Sequence, residues 1–402
     1  MSEILTNKIT PADIKGNTVT LGNSGDTIAL GVGATSTGFG NLDVTKNPSN
    51  PAIDTNPSGG VGTLWLNTTN GCLFSCTDAT TDANVWVNIA NCNADNIPVT
   101  TGDGYLVAGD RASVRSDTIS EYAFSSSVES IIGSIDRAMV LQGSNSSTTE
   151  GFVHGGTSEN ISDKAIQFPT RIEKFAFASG NISTPTHGNI SRNLFDQANT
   201  NSSTHGYLHG GRGFEIVGSV TSSEKFTFAN SNVTTTQVFD LGAQTFTAEG
   251  HSTNTNGYIF GGTIGGAVGN DIFEFSFASD TTKTNFGSMT IGRSAHNVAG
   301  NLSDAFIVGG GSGGTNLILN IEKISLSSSN TNSSHGDLAS VQNQVTTASS
   351  ATHGLVMSGN DENGVDTVTK QIFAYASDSG ASLTAPLSLT ANGSAPCQSP
   401  AF

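Results

Sequence analysis

An all-β fold assembled mainly from six copies of one unit is what the sequence predicts, and three observations predict it. The first is a recurring hexad. Its most regular copy is Gly257-Tyr258-Ile259-Phe260-Gly261-Gly262, with cognates beginning at Gly104, Gly151, Gly206, Ala305 and Gly354. In chain order the six starts are separated by 47, 55, 51, 48 and 49 residues. The second is an aromatic segment that follows each hexad, as in Ile172-Glu173-Lys174-Phe175-Ala176-Phe177 and Ser223-Glu224-Lys225-Phe226-Thr227-Phe228. Its Phe-x-Phe alternation puts two rings on one face of a strand, where they can fill the gap to a neighbouring sheet. The third is composition. Gly reaches 48, only 12% of residues are charged, and Ser, Thr and Asn fill the spaces between apolar segments. That suits short strands and tight turns, and no long stretch carries a 3.6-residue period.

Residues 1–60 come first and look unlike the rest. Asn17-Thr18-Val19-Thr20-Leu21-Gly22 and Asp26-Thr27-Ile28-Ala29-Leu30-Gly31 alternate as short strands around a polar turn. Too few apolar residues are present for a private core, so this piece is expected to order in an oligomer or on a partner. Residues 45–61 hold three prolines and a Gly-Gly and read as a linker. Residues 61–97 read as a small three-strand meander turned at Asn70-Gly71, with both tryptophans, Trp65 and Trp86, supplying its buried area.

From 98 to 402 the repeat takes over. About 50 residues make one four-stranded blade, so six units predict a six-bladed β-propeller. Each hexad reads as a strand ending in a glycine turn. The first glycine of the pair is expected at positive φ, and the second is expected to admit a close backbone neighbour. A weaker segment of small residues precedes the hexads: Ser294-Ala295-His296-Asn297-Val298-Ala299, with Gly250-His251-Ser252 and Ser191-Arg192-Asn193 as looser relatives. Before the first hexad nothing matches. The C-terminal Asn392-Gly393-Ser394-Ala395-Pro396-Cys397-Gln398 aligns instead with Gly292 to Val298, so residues 394–399 are expected beside Gly104–Gly109, completing the first unit.

Two resemblances follow from these residues. The order of small-residue strand, hydrophobic-Gly-Gly strand, Phe-x-Phe strand and Ser/Thr-rich strand resembles the kelch repeat, though the outer-strand tryptophan of that family is missing. The segment Gly62 to Ile89 resembles a module of structural proteins from marine tailed bacteriophages. Asn17 to Ile28 is similar to the start of cyanophage tail-fibre-like proteins. The resemblance implies a virion protein made in the bacterial cytoplasm, its N-terminal part anchored to other virion proteins and its C-terminal part projecting. It also implies a homo-oligomer, with a trimer favoured.

Chemistry is then narrowed by exclusion. A formal net charge of −17 argues against nucleic acid or an anionic bilayer, since counterion release needs clustered Lys and Arg. The N-terminus has no basic-then-apolar pattern, and no run of 18 apolar residues exists, so neither a secretory signal nor a membrane span is expected. Cys72, Cys76 and Cys92 lack a fourth ligand at zinc-finger spacing, and free buried thiols are expected. Copper-radical chemistry has no parts, because Cys397 is the only cysteine after residue 97, and sialidase boxes are absent because no Trp follows Trp86. No motif singles out a carboxylate pair, so no enzyme, cofactor or metal is implied. His154 and His209 share a place in neighbouring hexads. They are either a shared ligand site or polar strand tips bonded to backbone, the second being the more ordinary reading. His205 and His353 read as turn residues.

Two function classes stay open. One is a receptor-binding virion protein that holds a host surface glycan or protein; the other is a decoration or connector that only packs against neighbours. The loops between second and third strands, such as Arg212 to Ser222 and Asn360 to Thr369, are long and vary while the strands repeat. They nominate Arg212, Phe214, Glu215, Asp271, Asp361 and Glu362 as a candidate binding face.

Overall fold

The computed structural model describes residues 44–52, 55–69, 73–81, 84–88, 103–111, 114–124, 127–157, 170–182, 186–213, 218–313, 316–387 and 393–398. Among the described residues every regular element is a strand. The chain forms two units, Met1–Ile97 and Pro98–Phe402.

In the first unit, Leu64–Asn67, Leu73–Asp78 and Val85–Asn88 form the expected antiparallel meander. Val44–Asn47 joins it in parallel, with Val44 opposite Leu64. Residues 45–47, at the start of the expected linker, are therefore part of this sheet. Trp65 explains why: its indole Nε1 donates to the Ser49 carbonyl at 2.9 Å, and Asn67 Nδ2 donates to Asn50 Oδ1 at 2.6 Å. A buried indole N–H needs an acceptor, and the proline-bearing segment supplies it. Trp65 meets Trp86 edge-to-face at 5.8 Å, beside buried Phe74. Cys76 is a free buried thiol. The strand-like segments of residues 17–31, the Asn70-Gly71 turn, Cys72 and Cys92 lie outside the described residues.

The second unit repeats one plan six times. In the fourth sheet, Glu249–Ser252, Asn256–Phe260, Asp271–Ser276 and Thr284–Ser288 run antiparallel in chain order. The hexad is the second strand and the Phe-x-Phe segment the third. First strands elsewhere are Gly143–Ser146, Ala198–Asn201, Ser294–Gly300 and Thr346–Ser349. The first sheet takes its first strand from the other end of the chain. Ala395–Gln398 pairs with Gly104–Arg111, Ala395 opposite Val107 and Gln398 opposite Gly104. The strand is the expected one, but its register is two residues away from the alignment, since Asn297 and not Ala295 stands opposite the cognate Val308. Ala295 sits at φ +53 and is skipped in the ladder with no change of register, Ser294 facing Gly311 and His296 facing Gly309. A second correction concerns Ser191-Arg192-Asn193. These residues lie in the connection, and Ala198–Asn201 is the first strand of the third sheet.

Both residues of each hexad's closing pair lie in the left-handed region. Gly261 and Gly262 are at φ +49 and +87, so the second is more than a point of close approach. Two copies tolerate a side chain at the first position, Ala108 at +57 and Ser358 at +56.

Successive sheets interlock through one contact. The second hexad residue packs on the aromatic pair of the next sheet. Tyr105 stacks on Phe177 at 4.6 Å, Phe152 on Phe228 at 4.7 Å, Tyr207 on Phe277 at 5.3 Å and Phe306 on Tyr375 at 4.5 Å. Tyr258 shares a core cluster with Ile324 and Leu326 of the fifth sheet. Leu355 of the sixth shares one with Tyr122 and Phe124 of the first. The cycle thus returns to its start. The first strands follow the same order: each lies beside the next, and Ala395–Gln398 lies beside both Thr346–Ser349 and Gly143–Ser146.

Candidate functional site: a polar cavity between the first strands

Six neighbouring first strands leave a cavity of ≈ 510 Å³ between them, and all six contribute to its wall. Alternation along a strand decides which side chains face it. One layer is Gln142, Gln197, Ala248, His296, Val345 and Ser394; the next is Ser144, Asn199, Gly250, Val298, Thr347 and Pro396. Pro396 fits because each first strand is an edge strand and a missing N–H costs no ladder bond on the open side. The wall is not uniform. Amides and hydroxyls crowd the second and third sheets, while Val298, Val345 and Pro396 make the fifth, sixth and first sheets more apolar.

Polar groups on the amide side outnumber their partners. Gln142 Oε1 and Nε2, Gln197 Oε1 and Asn199 Oδ1 are buried atoms with no hydrogen-bond partner among the described residues. Gln142 is 8% exposed and Gln197 4%. Gln197 Nε2 donates to His154 Nδ1 at 3.0 Å, and Asn199 Nδ2 donates to the Gln197 carbonyl at 3.0 Å, so each amide is oriented by its donor end. Their placement is tight. A side chain at Gly143 would meet the His154 ring, Gln197 Nε2 and Asn199 Oδ1 within 2.8 Å.

Among the described residues no lysine or arginine lines the cavity, and the carboxylates on its wall are Asp196 and Glu249. Burial pushes the Glu249 carboxyl up to about 8, the charge of Asp196 adding to the effect and the Gly250 N–H opposing it. A shift in this direction favours the protonated carboxyl, which can donate as well as accept. Burial also raises Asp196, against the pull of Arg212, whose Nε donates to Asp196 Oδ2 at 2.9 Å.

The histidines are internal. His154 Nε2 bonds Asn145 Oδ1 at 2.8 Å, while His209 bonds Thr200 Oγ1 at 2.9 Å and Ser223 Oγ at 3.0 Å. These bonds go to side chains, where backbone had been expected, and among the described residues no group bridges the two rings. Burial pulls His154, His209 and His296 down to about 3. His205 and His353 open hexad strands and do not sit in turns, each ring bonded to the preceding threonine hydroxyl at 2.8 Å.

Of the face nominated by loop variation, Phe214 and Glu215 lie outside the described residues. The expected geometry of the loops holds. Each first strand begins opposite the end of its hexad, as Gly143 faces His154, so loops from second to third strands emerge where the chain enters each sheet. Leu194–Phe195, in such a connection, pairs with Arg212–Gly213 in such a loop. Arg212 is committed there, bonded to Asp196 and lying 4.5 Å from the Phe246 ring centroid. Asp271 opens a third strand opposite Ser288. Asp361 Oδ1 accepts the Val365 and Asn363 N–H groups at 2.9 and 2.8 Å, which holds its carboxyl below the usual range. Glu362 is exposed. Among the described residues no hydrogen bond or ion pair joins Arg212, Asp271, Asp361 and Glu362 to one another. The cavity amides and Glu249 were missed by sequence reasoning. Their signal was the repeated Gln before the first strand, at Gln142 and Gln197, hidden in a background of Ser, Thr and Asn.

No family model matches the chain, and no curated protein matches it.

Proposed function

We propose that the second unit is a six-bladed, kelch-like β-propeller and that the chain is a tail-fibre-like protein of a phage virion. In this reading residues 1–97 attach to other virion proteins as a trimer, and the propeller projects to hold a host surface glycan. Cyclic order supports the propeller, since both the first strands and the hexad contacts return to their start. One observation carries the binding role: a cavity of small-molecule size walled by amides and hydroxyls from all six sheets. It is read as a binding site because amides and hydroxyls, and not paired carboxylates, dominate its wall.

The virion placement rests on the resemblance of Gly62 to Ile89. Full-length protein applied to envelope polysaccharides of the bacterial host is expected to bind, and sedimentation of the same preparation to give a trimer. A second reading, decoration or connector, is favoured by the internal engagement of Arg212. Protein that docks to particles yet ignores every polysaccharide and intact host cells would establish that alternative.

A further inference from the structure

The glycan-binding reading leaves the sugar open, and the cavity narrows it. Its two sides differ in chemistry. The second and third sheets present Gln142, Gln197 and Asn199, with four buried polar atoms that have no partner among the described residues. Such atoms are uncommon in a folded interior, because each forfeits its bonds to water without replacement. Here they cluster and face one space, and Gln197 and Asn199 are held in place by their donor ends. In the cyclic order of sheets the opposite wall is the fifth and sixth, where Val298 and Val345 face the same space beside the buried His296 ring.

We propose that Gln142, Gln197 and Asn199 form a subsite for an electrically neutral pyranose, its hydroxyl edge on these amides and its C–H face toward Val298 and Val345. The inference rests on the glycan-binding reading. A sugar hydroxyl both donates and accepts, which suits a wall offering Gln142 Nε2 as donor and three amide oxygens as acceptors. An anionic sugar is disfavoured on charge. Among the described residues no cation lines the cavity, Asp196 is on its wall, and the guanidinium that reaches Asp196, Arg212, is spent on it. His251 and His296, also on the wall, are held neutral by burial and add no positive charge. The volume of ≈ 510 Å³ lies within the range of about 300–1,000 Å³ usual for small-ligand sites.

The test uses the full-length chain and two probe sets, neutral hexose oligosaccharides and uronate-bearing oligosaccharides, with affinity read by titration calorimetry. Wild type is expected to bind members of the neutral set. Gln142→Leu should weaken that binding about tenfold or more, since two hydrogen bonds to the ligand are lost. Its melting temperature should hold or rise, because the substitution removes two unpartnered buried atoms. That combination separates a ligand contact from a structural one. Should this variant not fold, Asn199→Ala gives the same readout from the neighbouring strand. Unchanged affinity in a folded variant, or binding confined to the uronates, overturns the subsite and leaves the glycan reading standing. Failure of wild type to bind either set overturns both.

Discussion

His209 shows what burial does to a single group in this chain. The ring is fully enclosed, bonded to Thr200 and Ser223, and pulled from its ordinary 6.5 down to about 3 by desolvation. His154 and His296 are held at about the same value by the same cause. Between about pH 3 and 6.5 the unfolded chain binds a proton at each of these positions and the folded chain does not. Stability from a depressed pKa is present above the unfolded value and lost as pH falls, by about 1.4 kcal/mol per pH unit for each ring. Glu249 runs the other way. Its raised carboxyl holds a proton that the unfolded chain releases, so between its ordinary 4.5 and about 8 its contribution is lost as pH rises. Three rings outweigh one carboxyl, and the midpoint of urea unfolding is expected to fall from pH 7 to pH 5. His209→Gln keeps a hydrogen-bonding side chain and should flatten that slope by about 1.4 kcal/mol per unit. A slope identical to wild type would mean that His209 takes up its proton without unfolding.

Five of the six hexad strands carry a glycine opposite an aromatic ring, and the fifth sheet explains why. Gly257 faces Phe275, and a Cβ there would lie 2.4 Å from a ring carbon that Tyr207 packs against from the preceding sheet. In the fifth sheet Ala305 stands in the glycine's place, and the residue opposite is Ile324, which lacks the ring. The two positions behave as a pair. Gly257→Ala alone should cost about 2 kcal/mol through overpacking, and Phe275→Ile alone should also destabilise by losing ring contacts. The double variant is expected to recover about 1 kcal/mol or more relative to the sum, and strict additivity in denaturant melts would refute the pairing. This is also why the hexads were legible in sequence. Apolar side chains wedged between sheets fix Gly, Tyr and Phe at set positions, so the same letters recur. First strands are different. One face meets a cavity, and Ser, Asn, Thr, Gly or Pro all satisfy it, so Ala198–Asn201 went unseen and Ala395–Gln398 was placed two residues out of register. The amide cluster was illegible for the same reason: Gln142 and Asn199 look like any polar residue until topology sets them side by side. Loop variation pointed instead to Arg212, whose charge is spent within the fold.

At the scale of the whole unit, stability depends on joining the two ends of the chain. Ala395–Gln398 is the one first strand that does not arrive by a local connection, and its bonds reach three sheets. Ser394 Oγ donates to the Ala108 carbonyl of the first sheet at 3.0 Å, and Thr346 Oγ1 of the sixth donates to the Ser394 carbonyl at 3.2 Å. Leu141 N, entering the second sheet, donates to the Gly393 carbonyl at 2.8 Å, and Ser144 Oγ donates to the Pro396 carbonyl. Ala395 and Cys397 are buried in the cluster that holds Tyr105 and Phe175. Without this strand the first sheet would expose a ladder edge, the second and sixth would lose a shared neighbour, and the cavity would be left with five walls. Removal of residues 392–402 forfeits roughly 5 kcal/mol on the count of these bonds and the uncovered core. That amounts to a fall of about 8 °C in melting temperature for a unit of this size. A circularly permuted chain that begins at residue 394 and joins the old ends through a linker supplies the strand from a new terminus, and it should melt near the wild-type temperature. If the truncated chain instead melts with wild type, closure by the C-terminal strand contributes nothing to the fold, and the first sheet is stable with three strands.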